Sequence, residues 1–286
     1  MLLFLYRNEA IINFVMTLPS LSPILWKTLP AGTSSHSGKY MANEIKKVLE
    51  EINSNKVSDI VTDNAANMKN AWTRLKDFYP HLQCCVCISH GLNLLFTDFF
   101  KLTTLSVLMS QATDIVREIK NSHLSVAAFR DIQKKSAGVA TCISLKLPVR
   151  TRWGSTVACL DSIQKSRQPF KTLAISENSG LYSATKNILL SDIFWDRVEG
   201  FFKLLSPIAD AIKKTESNTP MLSTVVETFH FLEDHIFKNL TVSPFSKKEE
   251  EAKKIFKKRK EFCLTEIHLA ANILDPKFQG RVLTGE

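Results

Sequence analysis

Asp63 is the side chain in this sequence best placed for metal chemistry. It follows residues 57–62, whose β-branched side chains predict a buried strand, and precedes residues 65–78, whose apolar spacing predicts a helix. A carboxylate there lies at the carboxyl end of a strand, where open α/β sheets bind ligands, and it could take Mg²⁺, which prefers oxygen. Asp63 could equally cap the helix, since one carboxylate cannot hold the two ions of a phosphoryl-transfer centre.

Three cysteines and a histidine follow the predicted helix, at Cys84, Cys85, Cys87 and His90. Cys and His are the usual ligands of zinc, but a structural site needs four ligands, and no second pair lies close in the sequence. We expect the cysteines to be small buried side chains and the histidine to orient the helix that follows. Whether they bind zinc is left open.

Two arginines surround a tryptophan further along, at Arg150, Arg152 and Trp153. A tryptophan beside an arginine is most often a core anchor with a solvated cation. The alternative is a nucleic-acid site in which the arginines hold phosphates and the indole stacks on a base. We expect Trp153 to be partly buried, because it immediately precedes a predicted helix.

The composition favours a basic protein of a reduced compartment. The 286 residues include 37 Lys and Arg and 28 Asp and Glu, for a net charge of +9, so an anionic partner such as nucleic acid is the natural candidate. The six cysteines form no disulfide-like ladder. The apolar run that opens the chain is too short for a secretory core or a spanning helix, so we expect a protein that is neither secreted nor in a membrane.

The predicted elements change in character near Gly91. Before it, residues 10–18, 24–29, 57–62 and 81–86 predict strands, and residues 39–52 and 65–78 predict amphipathic helices. After it the hydrophobic period is 3.6, and the predicted helices are 92–102, 105–119, 125–134, 157–175, 188–215, 221–240 and 247–271. Ser206-Pro207 is one expected break, and residues 143–149 fit a short strand or an extended lead-in.

Three separated motifs resemble the hAT superfamily of DNA transposases, in the family's order. They are VTDNAANMKNAW from Val61, CISHGLNLL from Cys87 and LPVRTRWGS from Leu147, and the similarity extends from about Asn8 to the C-terminus. The resemblance implies an RNase H-like core interrupted by a helical insertion, with two Asp and one Glu as the catalytic set. It assigns Asp63 to the second Asp, gives Cys87 and His90 a positional role, and places Trp153 near the active site.

The same resemblance leads us to expect an incomplete catalytic set. The first Asp would lie on the opening strand, where Met1 to Leu5 has no acid, and that strand is expected to be truncated or missing. The Glu and the dimerisation segment would come after Glu286, and no zinc finger precedes the core.

We therefore expect an α/β fold, with a truncated RNase H-like core at residues 1–103 and a mostly all-α helical insertion domain at 104–286. The expected function is that of a transposon-derived, catalytically inactive protein with weak nucleic-acid or protein binding. The alternatives are an active DNA transposase and a decayed fragment without function. Mg²⁺ is expected only for the active enzyme. DNA of low sequence specificity is the expected partner, self-association is left open, and the location is the nucleus by resemblance, or the cytoplasm.

Overall fold

The computed structural model describes residues 2–6, 9–18, 21–30, 37–101, 104–137, 142–149, 153–217, 221–240 and 246–284. It combines small β-sheets with a predominantly helical remainder. Contacts divide the chain into two compact units. Unit 1 consists of Met1–Gly91, Thr215–Glu227 and Arg259–Glu286, and unit 2 of Leu92–Lys214 and Thr228–Lys258. The boundary expected at residue 103 falls inside unit 2, and two later segments return to unit 1.

The strands of unit 1 are β1 (Leu2–Tyr6), β2 (Glu9–Met16), β3 (Ile24–Pro30), β4 (Asp59–Thr62) and β5 (Gln83–Val86). The helices of the first segment of unit 1 are α1 (Gly38–Ile52) and α2 (Ala66–Phe78). Helix α3 (Ile88–Lys101) begins at the end of that segment, and most of it belongs to unit 2. These bounds confirm the predicted helices at 39–52 and 65–78, and the strands predicted at 10–18, 24–29, 57–62 and 81–86 to within two residues.

The first three strands form an antiparallel sheet in the order β1, β2, β3. In this sheet Leu5 lies opposite Ala10, and Ile12 lies opposite both Leu3 and Leu29. An opening strand is therefore present, and the expectation that it is missing is wrong. An apolar run too short to cross a membrane is still long enough for a strand, and β2 becomes the central strand instead of an exposed edge.

A β-bulge shapes the β2–β3 pair. Phe14 lies opposite Lys27 and Val15 opposite Leu25, so Trp26 is the extra residue. The side chains of both Trp26 and Lys27 reach Glu51 at the end of α1, the indole Nε1 donating across 3.3 Å. The Lys27 ammonium and then the indole lower the pKa of the Glu51 carboxyl. The bulge thereby ties the sheet to α1 on the side where Ile12 and Phe14 are buried.

The other two strands form a parallel pair. Asp59 lies opposite Gln83 and Thr62 opposite Val86, and the ladder continues where the Cys87 N–H donates to the Thr62 carbonyl across 2.7 Å. Within the described ranges, no ladder joins this pair to the three-stranded sheet. One hydrophobic cluster connects β2 with both helices, and its members include Ile12, Phe14, Met41, Ile45, Leu49, Met68, Leu75 and Leu82.

The remaining helices are α4 (Thr104–Asn121), α5 (His123–Ala137), α6 (Trp153–Lys165), α7 (Arg167–Ile175), α8 (Ser183–Leu190), α9 (Asp192–Thr215), α10 (Thr224–Leu240), α11 (Glu249–Cys263), α12 (Glu266–Leu274) and α13 (Arg281–Thr284). The helices predicted at 92–102, 105–119, 125–134 and 221–240 are confirmed as α3, α4, α5 and α10, apart from residues at their ends. Residues 142–149 are extended, with a single bridge at Val149.

Three predicted helices are each divided in two. The helix predicted at 157–175 breaks at Ser166, because Pro169 has no N–H for the Lys165 carbonyl and fits only the first turn of a new helix. The helix predicted at 188–215 breaks at Ser191, just before the acidic first residue of α9. The helix predicted at 247–271 breaks at Thr265. Of these break residues, Thr265 forms a capping box with His268 at the start of α12, whereas Ser166 makes no side-chain cap bond.

Pro207 was expected to break its helix, and that expectation is wrong. It lies inside α9, where proline leaves the Lys203 carbonyl without its usual donor. The Nε2 of His235, on α10, donates to that carbonyl across 2.8 Å. A side chain from a neighbouring helix thus replaces the hydrogen bond that Pro207 removes.

No single helix of the described segments is long and apolar enough to cross a membrane. In the part of the chain that the structure describes, α3 and α4 taken together, across a bend between them, reach that length and hydrophobicity.

Candidate functional site

Asp63 lies directly after β4 and is exposed. Its carboxylate Oδ1 accepts the N–H of Ala65 across 3.2 Å. The N-cap residue of α2 is Ala65 itself, which has no side-chain bond to the helix. Asp63 therefore shapes the turn that leads into the helix, two residues before the N-cap, and the prediction that Asp63 itself caps α2 is wrong.

The acidic surroundings of Asp63 do not complete a metal site. The only other acid on β4, Asp59, begins the strand and accepts from the Ser58 hydroxyl; at about 3.3 Å per residue it lies roughly 13 Å away along the chain. β1 has the sequence LLFLY, without a carboxylate. Among the described residues, no three His, Cys, Asp or Glu side chains are placed to hold an ion. The residues described here therefore do not fit a two-ion Mg²⁺ centre, which needs several converging carboxylates.

The side chains of Cys84, Cys85, Cys87 and His90 do not converge on one point, because the first two lie on β5 and the others follow it. Cys84 and Cys85 are neighbours on β5, so their side chains point to opposite faces. Burial raises the pKa of Cys84 to about 11 and also raises that of Cys85, which keeps both as thiols. Cys87 lies after the strand, where its carbonyl accepts the Gly91 N–H, and His90 lies in the first turn of α3.

A partly buried chain of polar contacts, which the sequence did not indicate, joins β5 to α12. The Cys85 thiol lies 3.6 Å from the Thr265 hydroxyl, and that hydroxyl lies 2.8 Å from Nδ1 of His268. The same Nδ1 accepts the Thr265 backbone N–H across 3.2 Å. His268 is 2% exposed, and burial lowers its pKa. The Thr-x-x-His spacing at the start of α12 was the available signal.

The residues predicted to bind nucleic acid lie at or beyond the edge of a described range. Arg150 and Arg152 lie outside the described residues, and Trp153 is described only as the first residue of α6. Ser155, the serine of the same motif, is described. Its hydroxyl accepts the Val149 N–H across 2.7 Å and lies 3.2 Å from the Val149 carbonyl. The serine therefore joins the two described ends of the motif.

The residues 142–149 are fixed to two helices at three points. Besides the Ser155 contact, the buried Gln133 of α5 pairs with both backbone groups of Ile143, at 3.2 and 3.0 Å. The Ser162 hydroxyl of α6 accepts the Lys146 N–H across 3.1 Å. Leu145 is buried between these anchors, so the segment has a defined course that ends just before Arg150.

Two family models match this chain. The first is a domain of unknown function, DUF659, at residues 6–115, and the second is the ZBED1 RNase-like helical domain at residues 85–203. No curated protein matches the chain. The first match includes Asp63, Cys87 and His90, and the second includes the arginines and Trp153. Together, these matches suggest a hAT-like protein derived from a transposase.

Proposed function

We propose that this chain is a transposase-derived protein that binds nucleic acid without cutting it. The surroundings of Asp63 carry the proposal. The residue holds the position after a strand that the resemblance gives to a catalytic Asp, yet its carboxylate serves a turn, and neither β1 nor β4 supplies a second acid beside it. Two bridging ions need more ligands than one exposed carboxylate.

The order of elements in unit 1 supports an RNase H-like core as the ancestry of this unit. Three antiparallel strands are followed by helix, strand, helix and strand, with Asp63 at the end of the fourth strand. In this proposal the turn that once carried a metal ligand is retained as a structural connection between β4 and α2.

The charge of the chain supports the binding half of the proposal. A net charge of +9 attracts a polyanion at long range. Arg150 and Arg152 would hold phosphates, and Trp153 would stack on a base, as the resemblance of their motif suggests. Contacts of this kind carry little sequence information, so the DNA partner would be bound with low specificity, in the nucleus.

A cleavage assay tests the catalytic half. The full chain is incubated with hairpin and terminal-repeat DNA in Mg²⁺ and in Mn²⁺, and no nicking or joining is expected. Cleavage by the wild-type chain that disappears in Asp63→Ala would contradict the proposal and establish an active transposase.

A salt titration tests the binding half. Binding to DNA of arbitrary sequence should be measurable at about 50 mM salt and should weaken steeply by about 200 mM, because phosphate contacts release counterions. If the chain does not bind DNA at the lower salt concentration, the result supports the alternative of a fragment without nucleic-acid function. Selective binding to one sequence would also count against this proposal.

A further inference from the structure

The positive charge of this protein is concentrated in one unit. Unit 1 contains 13 Lys and Arg and 13 Asp and Glu, whereas unit 2 contains 24 Lys and Arg and 15 Asp and Glu. Unit 1, which carries Asp63, is thus neutral, and the helical unit accounts for the whole excess of +9. An anionic partner drawn by charge would approach unit 2.

Within unit 2, four exposed cations lie on two segments that contact each other. They are Arg130, Lys134 and Lys135 of α5 and Lys146 of the extended segment 142–149, and together we name them the basic surface. The bidentate contact of Gln133 with Ile143 places the end of α5 against the extended segment. Lys134 is the next residue after Gln133, and Lys146 is three residues from Ile143, about 10 Å along an extended chain.

The basic surface is not neutralised within the described parts of the chain. Unit 2 has ion pairs on α3, α6, α7, α9 and α11, whereas none of the four cations forms one with a described residue. Asp131 is the only acid on the two segments, so their local charge is +3. Lys134 and Lys135 lie in the last turn of α5, where cations stabilise the carboxyl end of the helix dipole. Arg130 and Lys146 lie elsewhere, so helix stability does not account for their charge.

We propose that the basic surface is the main contact of this protein with the phosphate backbone of duplex DNA. The inference rests on the proposed function and adds the location and the form of the partner. Charge complementarity identifies a polyanion. The duplex follows because the four cations have no stacking ring beside them among the described residues of the two segments: Phe129 is 4% exposed and packs on Phe170, and His123 begins α5, about 10 Å along the helix from Arg130. Backbone phosphates remain as the groups within reach.

The test compares two full-length variants that lose the same charge. In the first, Arg130, Lys134, Lys135 and Lys146 are replaced by Gln. In the second, the exposed Lys39, Lys56, Arg74 and Lys76 of unit 1 are replaced by Gln, again one Arg and three Lys. Affinity for a labelled duplex of arbitrary sequence is measured by anisotropy over a range of salt, with the single strand of the same sequence in parallel.

We expect the basic-surface variant to bind the duplex at least about tenfold more weakly at about 50 mM salt, and its salt slope to fall by about 3 to 4, since each phosphate contact contributes about 0.9. The unit 1 variant should stay within about twofold of the wild type. Equal weakening of both variants would overturn the location while leaving the proposed function intact. A stronger loss for the single strand would overturn the duplex assignment. If the wild-type chain itself does not bind, the proposed function fails with it.

A thermal melt separates loss of contact from loss of fold. If the basic-surface variant melts earlier than the unit 1 variant, the double change Arg130→Gln with Lys146→Gln takes its place, because neither residue lies in the last turn of α5. That variant should melt at the wild-type temperature, and its salt slope should fall by about half as much as the slope of the fourfold variant. A wild-type slope in this variant would overturn the proposal.

Discussion

Gly91 of α3 lies directly against the side chain of Cys263 of α11. A Cβ added at Gly91 would lie 2.1 Å from the Cys263 Sγ, and Cys263 is fully buried. The glycine therefore allows α3 and α11 to approach each other. Real Cβ atoms do not occur at such distances, so either the Cys263 thiol must rotate away or the two helices must separate.

We expect Gly91→Ala to destabilise the protein by about 1–3 kcal/mol, the range for overpacking a buried site. Gly154→Ala in α6 is the matched control, since its Cβ would meet nothing within 4 Å, and a gain of about 0.5–1 kcal/mol is expected for Ala in a helix. Denaturant unfolding measures both. Cys263→Ala should reduce the cost at Gly91; an unchanged cost would contradict the contact.

The buried His268 predicts a pH dependence. Burial lowers its pKa below the value of 6.5 that an unfolded chain would have, so the unfolded state binds the extra proton first. Its contribution to stability is present above about pH 6.5 and is lost as the pH falls, because protonated Nδ1 would face the two donors of Thr265. Denaturant midpoints between pH 7.5 and pH 5 should fall more for the wild type than for His268→Gln. Parallel curves would rule this out.

Trp153 can be measured against a tryptophan of known surroundings. Trp195 is 1% exposed, and its Nε1 donates to the Leu189 carbonyl across 2.7 Å. Trp195→Ala should cost about 3–5 kcal/mol of stability. The same loss for Trp153→Ala would identify a core anchor. A loss within about 0.5 kcal/mol, with single-strand binding weakened by about 1–3 kcal/mol, would identify a stacking residue.

At the residue scale, the sequence predicted where a side chain such as Asp63 lies along the chain, but not which groups it contacts. The place of Asp63 after a strand followed from the β-branched run before it, and the structure confirms that place. That its carboxylate accepts the Ala65 N–H could not be predicted, because the N-cap and the turn position lie two residues apart and use the same chemistry. The contact of Cys85 with Thr265 joins residues 180 apart in sequence, and no local pattern encodes it.

At the scale of elements, the α9–α10 contact depends on one missing hydrogen bond. Pro207 frees the Lys203 carbonyl, and His235 donates to it. His235→Ala should cost about 0.5–1.5 kcal/mol, the net value of one hydrogen bond. In a Pro207→Ala background, the helix supplies its own donor, so the cost of His235→Ala should shrink. A double-mutant cycle from unfolding curves measures the difference, and additive costs would show that the two residues act independently.

Hydrophobic periodicity identified the helices but not all of their ends. The period of 3.6 continues across Ser166, Ser191 and Thr265, since apolar residues on both sides face the same core, so it could not reveal the breaks. The local signals were Pro169 in a first turn and Ser or Thr before an acidic residue or a histidine. Pro207 gave the opposite error, because a neighbouring side chain offset its cost. At Pro207, a tertiary contact that no local pattern shows therefore decided that the helix continues.

At the scale of the whole molecule, the six cysteines are free thiols in different surroundings. Cys142 is exposed, whereas Cys159 in unit 2 and Cys263 in unit 1 are fully buried, which raises their pKa values to about 11 and about 12. We expect Cys142 to be alkylated rapidly in the native protein and the other two only after their units open. Mass spectrometry of a time course would show this order. Rapid native labelling of Cys159 or Cys263 would contradict their burial.

The assembly of unit 1 from three separate stretches has a consequence for synthesis on the ribosome. Every residue of unit 2 is made before Arg259, so the helical unit can close first. At about 5–20 residues per second, the roughly 170 residues between Gly91 and Arg259 take about 10 to 30 s to emerge. During that interval, β5 has neither Thr265 nor His268 beside Cys85. The β4–β5 pair therefore emerges well before the segment that covers Cys85 in the folded unit.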